Sequence, residues 1–200
     1  LGILLLLVAS CKTPQTAMGT SIPAHTMVKS KSKSNAFLTG ADNMESYLNL
    51  LRGKKVGVLT NPSGLVSFDY DYTFTDTVNR TQQSGKKTAT MHIVDYLAQK
   101  TKVDLVKIYA PEHGFRGEGA DGELIVDGKD TKTGVPIISL YGNSKKPSKE
   151  QLSGIDVLLF DLQDVGARFY TYISSLHYVM EACAENDIQL IILDRPNPNG

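Results

Sequence analysis

Tryptophan is missing from this chain, cysteine occurs only at positions 11 and 183, and four histidines are scattered without metal-ligand spacing. Cysteines so few and so far apart offer neither a disulfide framework nor a zinc site. Net charge is missing as well. The 21 Lys and Arg residues balance 21 Asp and Glu, so nothing in the total attracts nucleic acid, and there is no RNA-type aromatic motif. The apolar opening, Leu1 to Val8, is too short to cross a bilayer. Core material is plentiful: 41% of the 200 residues are hydrophobic, enough for one domain with a tail.

The opening residues match the apolar core of a secretory signal, and their end is informative. Val8-Ala9-Ser10-Cys11 fits the bacterial lipobox, in which small residues precede a cysteine that is lipidated on sulfur and becomes the mature N-terminus. A secretory signal with an incidental cysteine is the alternative. Acyl chains contribute about 0.8 kcal/mol per buried CH₂, so lipidated Cys11 would hold the chain to a membrane without a spanning helix. Lys12, rather than Asp, after the cysteine favours an outer-membrane destination. The expected organisation is a truncated lipoprotein signal peptide over 1–11, a Ser-, Lys- and Thr-rich tether over 12–36 that cannot bury a core, and a folded domain over 37–200. The location expected is the bacterial cell envelope, facing the periplasm or on the outer membrane. Cys183, on the apolar face of a predicted helix, reads as a buried, inert thiol.

Within the folded part, apolar runs alternate with helical periodicity. Asp42 with Glu45 suits a helix N-cap and its capping-box partner, with Tyr47, Leu48 and Leu51 as the apolar face and Gly53 as the stop. Buried strands are expected at 55–59, 103–109, 134–142, 155–160 and 188–193. Helices of periodic apolar residues lie near 90–98, about three turns long, and near 173–184. His92 and Asp95 fall off the helical stripe and are expected to be solvated. The stretch 68–87, with Asp69-Tyr70-Asp71-Tyr72-Thr73-Phe74 alternating polar and aromatic residues, reads as a surface excursion, a short hairpin or a lid presenting aromatics to a sugar. Strands alternating with helices predict an α/β fold, a Rossmann-like parallel sheet flanked by helices.

In such sheets the loops leaving the carboxyl ends of the strands form the ligand crevice. Chemistry is concentrated there. The strand at 103–109 discharges into Pro111-Glu112-His113-Gly114-Phe115-Arg116-Gly117, a carboxylate, an imidazole and a guanidinium in one short loop. Asn61, Glu112, Tyr141, Asp161, Asp164 and Asp194 all follow strand ends and are expected on one edge. Asn61 is either a ligand group or the head of an Asx turn. The run Gly117-Glu118-Gly119-Ala120-Asp121-Gly122 formally satisfies G-x-G-x-x-G, but it lies several residues beyond the strand, carries two acids that would repel phosphate, and opens no helix. A nucleotide is therefore not expected. Asp121, Asp127 and Asp130 do not match a calcium loop, and no metal or other cofactor is expected.

The motifs Thr60-Asn61-Pro62-Ser63-Gly64, Pro111-Glu112-His113-Gly114-Phe115-Arg116-Gly117, Ser139-Leu140-Tyr141-Gly142, the run from Asp161 to Ser174, and Leu193-Asp194-Arg195-Pro196-Asn197-Pro198-Asn199-Gly200 together resemble the exo-β-N-acetylmuramidase (NamZ-type) glycosidases. The likeness covers 37–200. It implies a catalytic Rossmann-like domain, incomplete at its C-terminal end, with a further domain completing the cleft. The implied activity is release of terminal N-acetylmuramic acid from the non-reducing end of peptidoglycan fragments. Glu112 falls on the family's proposed catalytic glutamate, a general acid/base flanked by His113. Glu123, Asp161 and Asp164 are candidates for the second group, as is the substrate's acetamido group. The lactyl carboxylate of muramic acid calls for a guanidinium, Arg168 or Arg116. Tyr170 or Tyr172 suits stacking on the ring, and Asn61, Tyr141 and Asp194 complete the expected sugar contacts. This chain departs from the family in Asp121-Gly122-Glu123, where Ala-Gly-Glu is usual, and in the length of 68–87. The competing reading is a non-catalytic envelope lipoprotein that binds peptidoglycan fragments.

Overall fold

The computed structural model describes residues 37–117, 127–142 and 144–199. Its centre is a six-stranded sheet built from β1 (Lys55–Thr60), β4 (Asp104–Ala110), β5 (Gly128–Lys129), β6 (Pro136–Ser139), β7 (Val157–Asp161) and β8 (Gln189–Ile192), in the order β5-β6-β4-β1-β7-β8. Every pairing is parallel except that of the short β5 with β6. The chain fills the sheet outward from β1 through β4 to β6, then returns to the other side of β1 for β7 and β8. That reversal makes a topological switch point between β1 and β7, the place where open α/β sheets hold ligands.

Both faces of the sheet are covered, which is why its strands appear in the sequence as continuous apolar runs. Alternation sorts their side chains. Val56, Val58, Ile108, Ala110, Val157 and Leu159 meet Tyr47, Leu51, Ile93, Val94 and Leu97 on one face. Leu59, Tyr109, Leu158 and Phe160 meet Leu152, Val179, Ala182 and Cys183 on the other. The first layer is supplied by α1 (Met44–Tyr47), the 3-10 turn Leu48–Leu51 and α2 (Ile93–Lys100), the second by α3 (Lys149–Leu152) and α4 (Tyr172–Glu185). Cys183 is a buried free thiol, as expected.

Three local expectations change. The cap of α1 is Asn43 rather than Asp42, and it makes no side-chain capping bond. Asp42 instead accepts from the Thr39 hydroxyl at 2.8 Å and the Ser67 amide at 2.8 Å, tying the entry segment to the strand that follows β1. The stretch after β1 is a long antiparallel ribbon, β2 (Leu65–Asp76) with β3 (Thr81–His92), running in register from Leu65↔His92 to Asp76↔Thr81. Because Thr90 to His92 pair within this ribbon, α2 begins only at Ile93 and is eight residues long. Ladder hydrogen bonds to a neighbouring strand override the helical periodicity there.

Gly57, in the middle of β1, carries a packing requirement. A Cβ there would lie 2.9 Å from the Tyr109 ring, 3.2 Å from Leu158 and 3.3 Å from Ile155. Tyr109 cannot swing aside, since it is fully buried and its hydroxyl donates to the Gln151 carbonyl at 2.8 Å. Replacing a strand glycine by alanine ordinarily favours folding. Here Gly57→Ala is expected to destabilise by about 1–3 kcal/mol through overpacking, read as a lower urea midpoint with unchanged slope; a neutral or stabilising result would show that Tyr109 relaxes freely.

Candidate active site

Each loop at the carboxyl edge is fixed by a different device, beginning with the turn after β1. Asn61 is buried, and its Oδ1 accepts from the Ser63 amide at 3.0 Å and the Ser63 hydroxyl at 2.6 Å, the Asx turn offered as one of its two readings. Its Nδ2 donates to the Tyr172 hydroxyl at 3.1 Å, and its carbonyl lies 2.9 Å from His92 Nε2. A carbonyl only accepts, so Nε2 carries the proton. The Val94 amide donates to Nδ1 at 3.3 Å, which must therefore be bare. His92 is thus a neutral imidazole that caps α2 and braces Asn61, its ring edge-on to Phe115 at 5.7 Å. It is buried rather than solvated, and burial holds its pKa below the ordinary 6.5, assisted by the nearby Arg116 charge.

The loop after β4 holds Glu112. The Gly114 amide closes a turn onto the Pro111 carbonyl at 3.1 Å. His113 takes φ 71°, a left-handed conformation uncommon for a residue with a Cβ, and Gly114 and Gly117 follow at φ 74° and 75°. Arg116 anchors the far end of this turn. It donates from Nη2 to Asp95 Oδ1 at 2.7 Å and from Nη1 to Asp95 Oδ2 at 3.1 Å. It also donates from Nε to Asp130 Oδ1 at 2.8 Å and from Nη2 to Asp130 Oδ2 at 2.9 Å. Asp130 is completed by the Thr133 amide and hydroxyl, and Lys132 stands 3.9 Å from Asp95. The guanidinium packs over the Phe115 ring at 4.8 Å. Hydrogen bonds from Arg116 hold the Asp95 carboxyl below its usual range against the opposing effect of burial; at Asp130 burial pushes upward, but the bonds from Arg116 and Thr133 outweigh it. Arg116, one of the two arginines expected on the sugar carboxylate, is therefore engaged inside the protein, and Asp95, expected in solvent, is buried beneath it.

Glu112 itself is half-buried and acts on Tyr141 across the edge. The Glu112 carboxylate raises the Tyr141 pKa, so the phenol keeps its proton. The structure thus brings a carboxylate and a phenol from the loops after β4 and β6 near one another.

On the other side of β1, Asp161 closes β7 and is fully buried. Arg195, on the loop after β8, clasps it from Nε at 2.6 Å and Nη2 at 3.1 Å, and also donates to the Leu65 carbonyl at 3.0 Å. The Thr60 hydroxyl adds a bond at 3.3 Å. Burial pushes the Asp161 pKa up against the pull of Arg195. Asp161 therefore sits at the switch point with its oxygens engaged by protein donors. Asp164, three residues on, is half-buried and makes no hydrogen bond or ion pair with the described residues. Its segment is braced by Gln163 to the Pro196 carbonyl and by Asn199 to the Val165 carbonyl, each at 2.7 Å. Arg168 and Asp194 are exposed, and Tyr170 meets Tyr172 edge-on at 6.3 Å. Glu123 and Cys11 lie outside the described residues. Among the described residues no cluster of metal ligands occurs and no helix is long and apolar enough to cross a membrane.

Sequence reasoning missed Asp95, Asp130, Arg195 and His92 as members of these networks. One signal was available: an aspartate directly continuing the apolar run of β7 must be paired if buried.

A doubly covered, 3-2-1-4-5 ordered parallel sheet with carboxylate–guanidinium pairs bracing the loops at its carboxyl edge defines a Rossmann-like α/β domain. Comparison narrows the class. Residues 77–200 match the family described as exo-β-N-acetylmuramidase NamZ, N-terminal, and the chain belongs to that family. It is similar to the peptidoglycan β-N-acetylmuramidase NamZ of Bacillus subtilis (strain 168), being 42% identical over 163 residues, which are 81% of this chain and 34% of that protein. Two solved DUF1343 family proteins from Bacteroides fragilis NCTC 9343 share the fold. One has a TM-score of 0.61 at 39% identity over 80% of this chain and 35% of that one. The other has 0.58 at 36% identity over 81% and 35%. The chain thus spans about a third of the length of the relatives it matches.

The neutral His92 gives a stability test. Below the ordinary value of 6.5 the unfolded chain takes up a proton that the folded protein resists, so stability is full above that pH and falls as pH drops toward the folded pKa. Asp95 and Asp130 act in the same direction only further down, below their ordinary 3.8. Thermal melts between pH 7.5 and 5 are therefore expected to show a decline that His92→Asn, which keeps a capping oxygen, flattens; an equal slope in the variant would place its cause elsewhere.

Proposed function

We propose that this chain carries the catalytic crevice of an exo-acting glycosidase that releases terminal N-acetylmuramic acid from the non-reducing end of peptidoglycan fragments, with Glu112 as general acid/base. The observation that carries the reading is the Glu112 turn itself: a carboxylate at the carboxyl edge, beside Tyr141, on a loop locked from behind by Arg116. Kinship to the B. subtilis peptidoglycan β-N-acetylmuramidase supports the substrate class. Glycoside cleavage needs one carboxyl group to protonate the leaving oxygen and a second group to stabilise the oxocarbenium-like centre or activate water. Asp164 is favoured for the second role over Asp161, whose oxygens Arg195 and Thr60 already occupy. Arg168, exposed on the same loop as Asp164, takes over from Arg116 as the partner for the lactyl carboxylate. We read Cys11 as the lipid attachment point that keeps the protein at the cell envelope, on the strength of Val8-Ala9-Ser10-Cys11.

The test uses the full-length gene product and a chromogenic N-acetylmuramide. Glu112→Gln is expected to lower kcat by about 10²–10⁴-fold with an unchanged melting temperature. Turnover like wild type in that variant removes Glu112 from the chemistry, and tight fragment binding without product favours the binding lipoprotein instead.

A further inference from the structure

The β2–β3 ribbon is two-faced. Strand alternation puts Val66, Phe68, Tyr70, Tyr72 and Phe74 on one face, opposite Met91, Ala89, Lys87, Gly85 and Gln83. The other face carries Ser67, Asp69 and Asp71 opposite Thr90, Thr88 and Lys86, cross-linked by Thr88 to Asp69 at 2.7 Å and by the Ser67 and Thr90 hydroxyls at 3.4 Å. At its root the aromatic face joins the core: Val66 is buried and Phe68 packs on Tyr96 of α2 at 5.1 Å. Further out the rings lose their cover, Tyr70 being 43% and Phe74 58% exposed.

A two-stranded ribbon gains little in water from apolar groups on an uncovered face, so this ladder calls for an occupant. Its chemistry selects one. Tyr70, Tyr72 and Phe74 follow one another at every second residue of β2, a rise of about 7 Å from ring to ring. Tyrosine offers an apolar face together with a hydroxyl, the combination that suits pyranose rings. Gln83 and Lys87 add donors along the same face. Tyr72 lies across Gly85, and Lys87 holds its ammonium 4.3 Å above the Tyr72 ring. Lys87 is the one cation among the described residues of that face, and Asp76 at the tip is turned to Val78 and Asn79. Charge therefore favours an anionic ligand. The ribbon also springs from the crevice: β2 starts directly after the Asn61–Gly64 turn, and β3 ends at His92, bonded to the Asn61 carbonyl.

We propose that the aromatic face of this ribbon is a second carbohydrate-binding surface, which holds an anionic amino-sugar glycan strand while its terminal residue occupies the carboxyl-edge site. The inference rests on the glycosidase reading above, and its test separates the two. The full-length protein is titrated calorimetrically with peptide-free peptidoglycan glycan strands and with neutral chitohexaose, and its turnover of the small chromogenic muramide is measured alongside. The triple variant Tyr70→Ser, Tyr72→Ser, Phe74→Ser is expected to bind glycan strands about tenfold or more weakly, a loss of about 1.4 kcal/mol, with small-substrate kcat/KM within about twofold of wild type. Lys87→Glu, which leaves the rings in place, is expected to weaken strand binding and flatten its salt dependence, and chitohexaose to bind more weakly than the strands. Undiminished strand binding by both variants overturns the proposal, as does a ribbon-dependent dimer in sedimentation with strand affinity unaltered, which assigns the face to a second copy. Loss of muramide turnover in wild type with ribbon-dependent strand binding intact would sink the glycosidase reading and leave this surface standing.

Discussion

The Arg116 guanidinium, held by four hydrogen bonds between Asp95 and Asp130, is the constraint on which the arrangement of the crevice depends. Its side chain is 11% exposed, that of Asp95 12% and that of Asp130 2%, so all three charges depend on one another for most of their compensation. Removing one partner from such a buried set costs about 3–5 kcal/mol, largely because the remaining charge is stranded. The clamp joins three parts distant in sequence: the first turn of α2, the loop after β4 and the turn before β6. Glu112 lies four residues from the clamped arginine, on a backbone bent through left-handed conformations at His113 and Gly114. Strain of this kind persists only where the surroundings over-determine the chain, and the clamp provides that.

A second buried pair does the same work across the switch point. Asp161 and Arg195 connect the ends of β7 and β8, while Thr60 and the Leu65 carbonyl bring in both sides of the turn after β1. The two pairs flank the Asn61 turn, which His92 supports from α2. Charged residues that sequence position alone would place in the substrate pocket thereby divide into two groups. Some fasten loops to the sheet; Glu112, Asp164 and Arg168 remain at the edge with chemistry to offer.

The sheet was legible because burial on both faces leaves an unmistakable mark. Runs such as Val157-Leu158-Leu159-Phe160 belong to parallel strands, and the five expected strands are the five parallel ones found. The carboxyl-edge gathering of Asn61, Glu112, Tyr141, Asp161, Asp164 and Asp194 follows from that topology alone. Partnerships were not legible. Whether Arg116 reaches outward to a ligand or inward to Asp95 depends on where α2 begins, and α2 is set by a hairpin whose exposed half is polar on one face and aromatic on the other. The pairing of Thr90 to His92 with β2 displaced the helix start that periodicity suggested. His92 and Asp95 leave the surface that the helical period assigns them for the same reason: a short helix against a ribbon root buries positions that a longer isolated helix would expose.

The central claim is that the carboxyl edge around Glu112 is where the terminal sugar sits. A crystal structure of the full-length protein soaked with N-acetylmuramic acid tests it most directly. The account predicts the anomeric end of the sugar within hydrogen-bond reach of the Glu112 carboxylate, beside Tyr141, with its lactyl group toward Arg168. Sugar bound elsewhere, with Glu112 and Tyr141 facing only water, would contradict it.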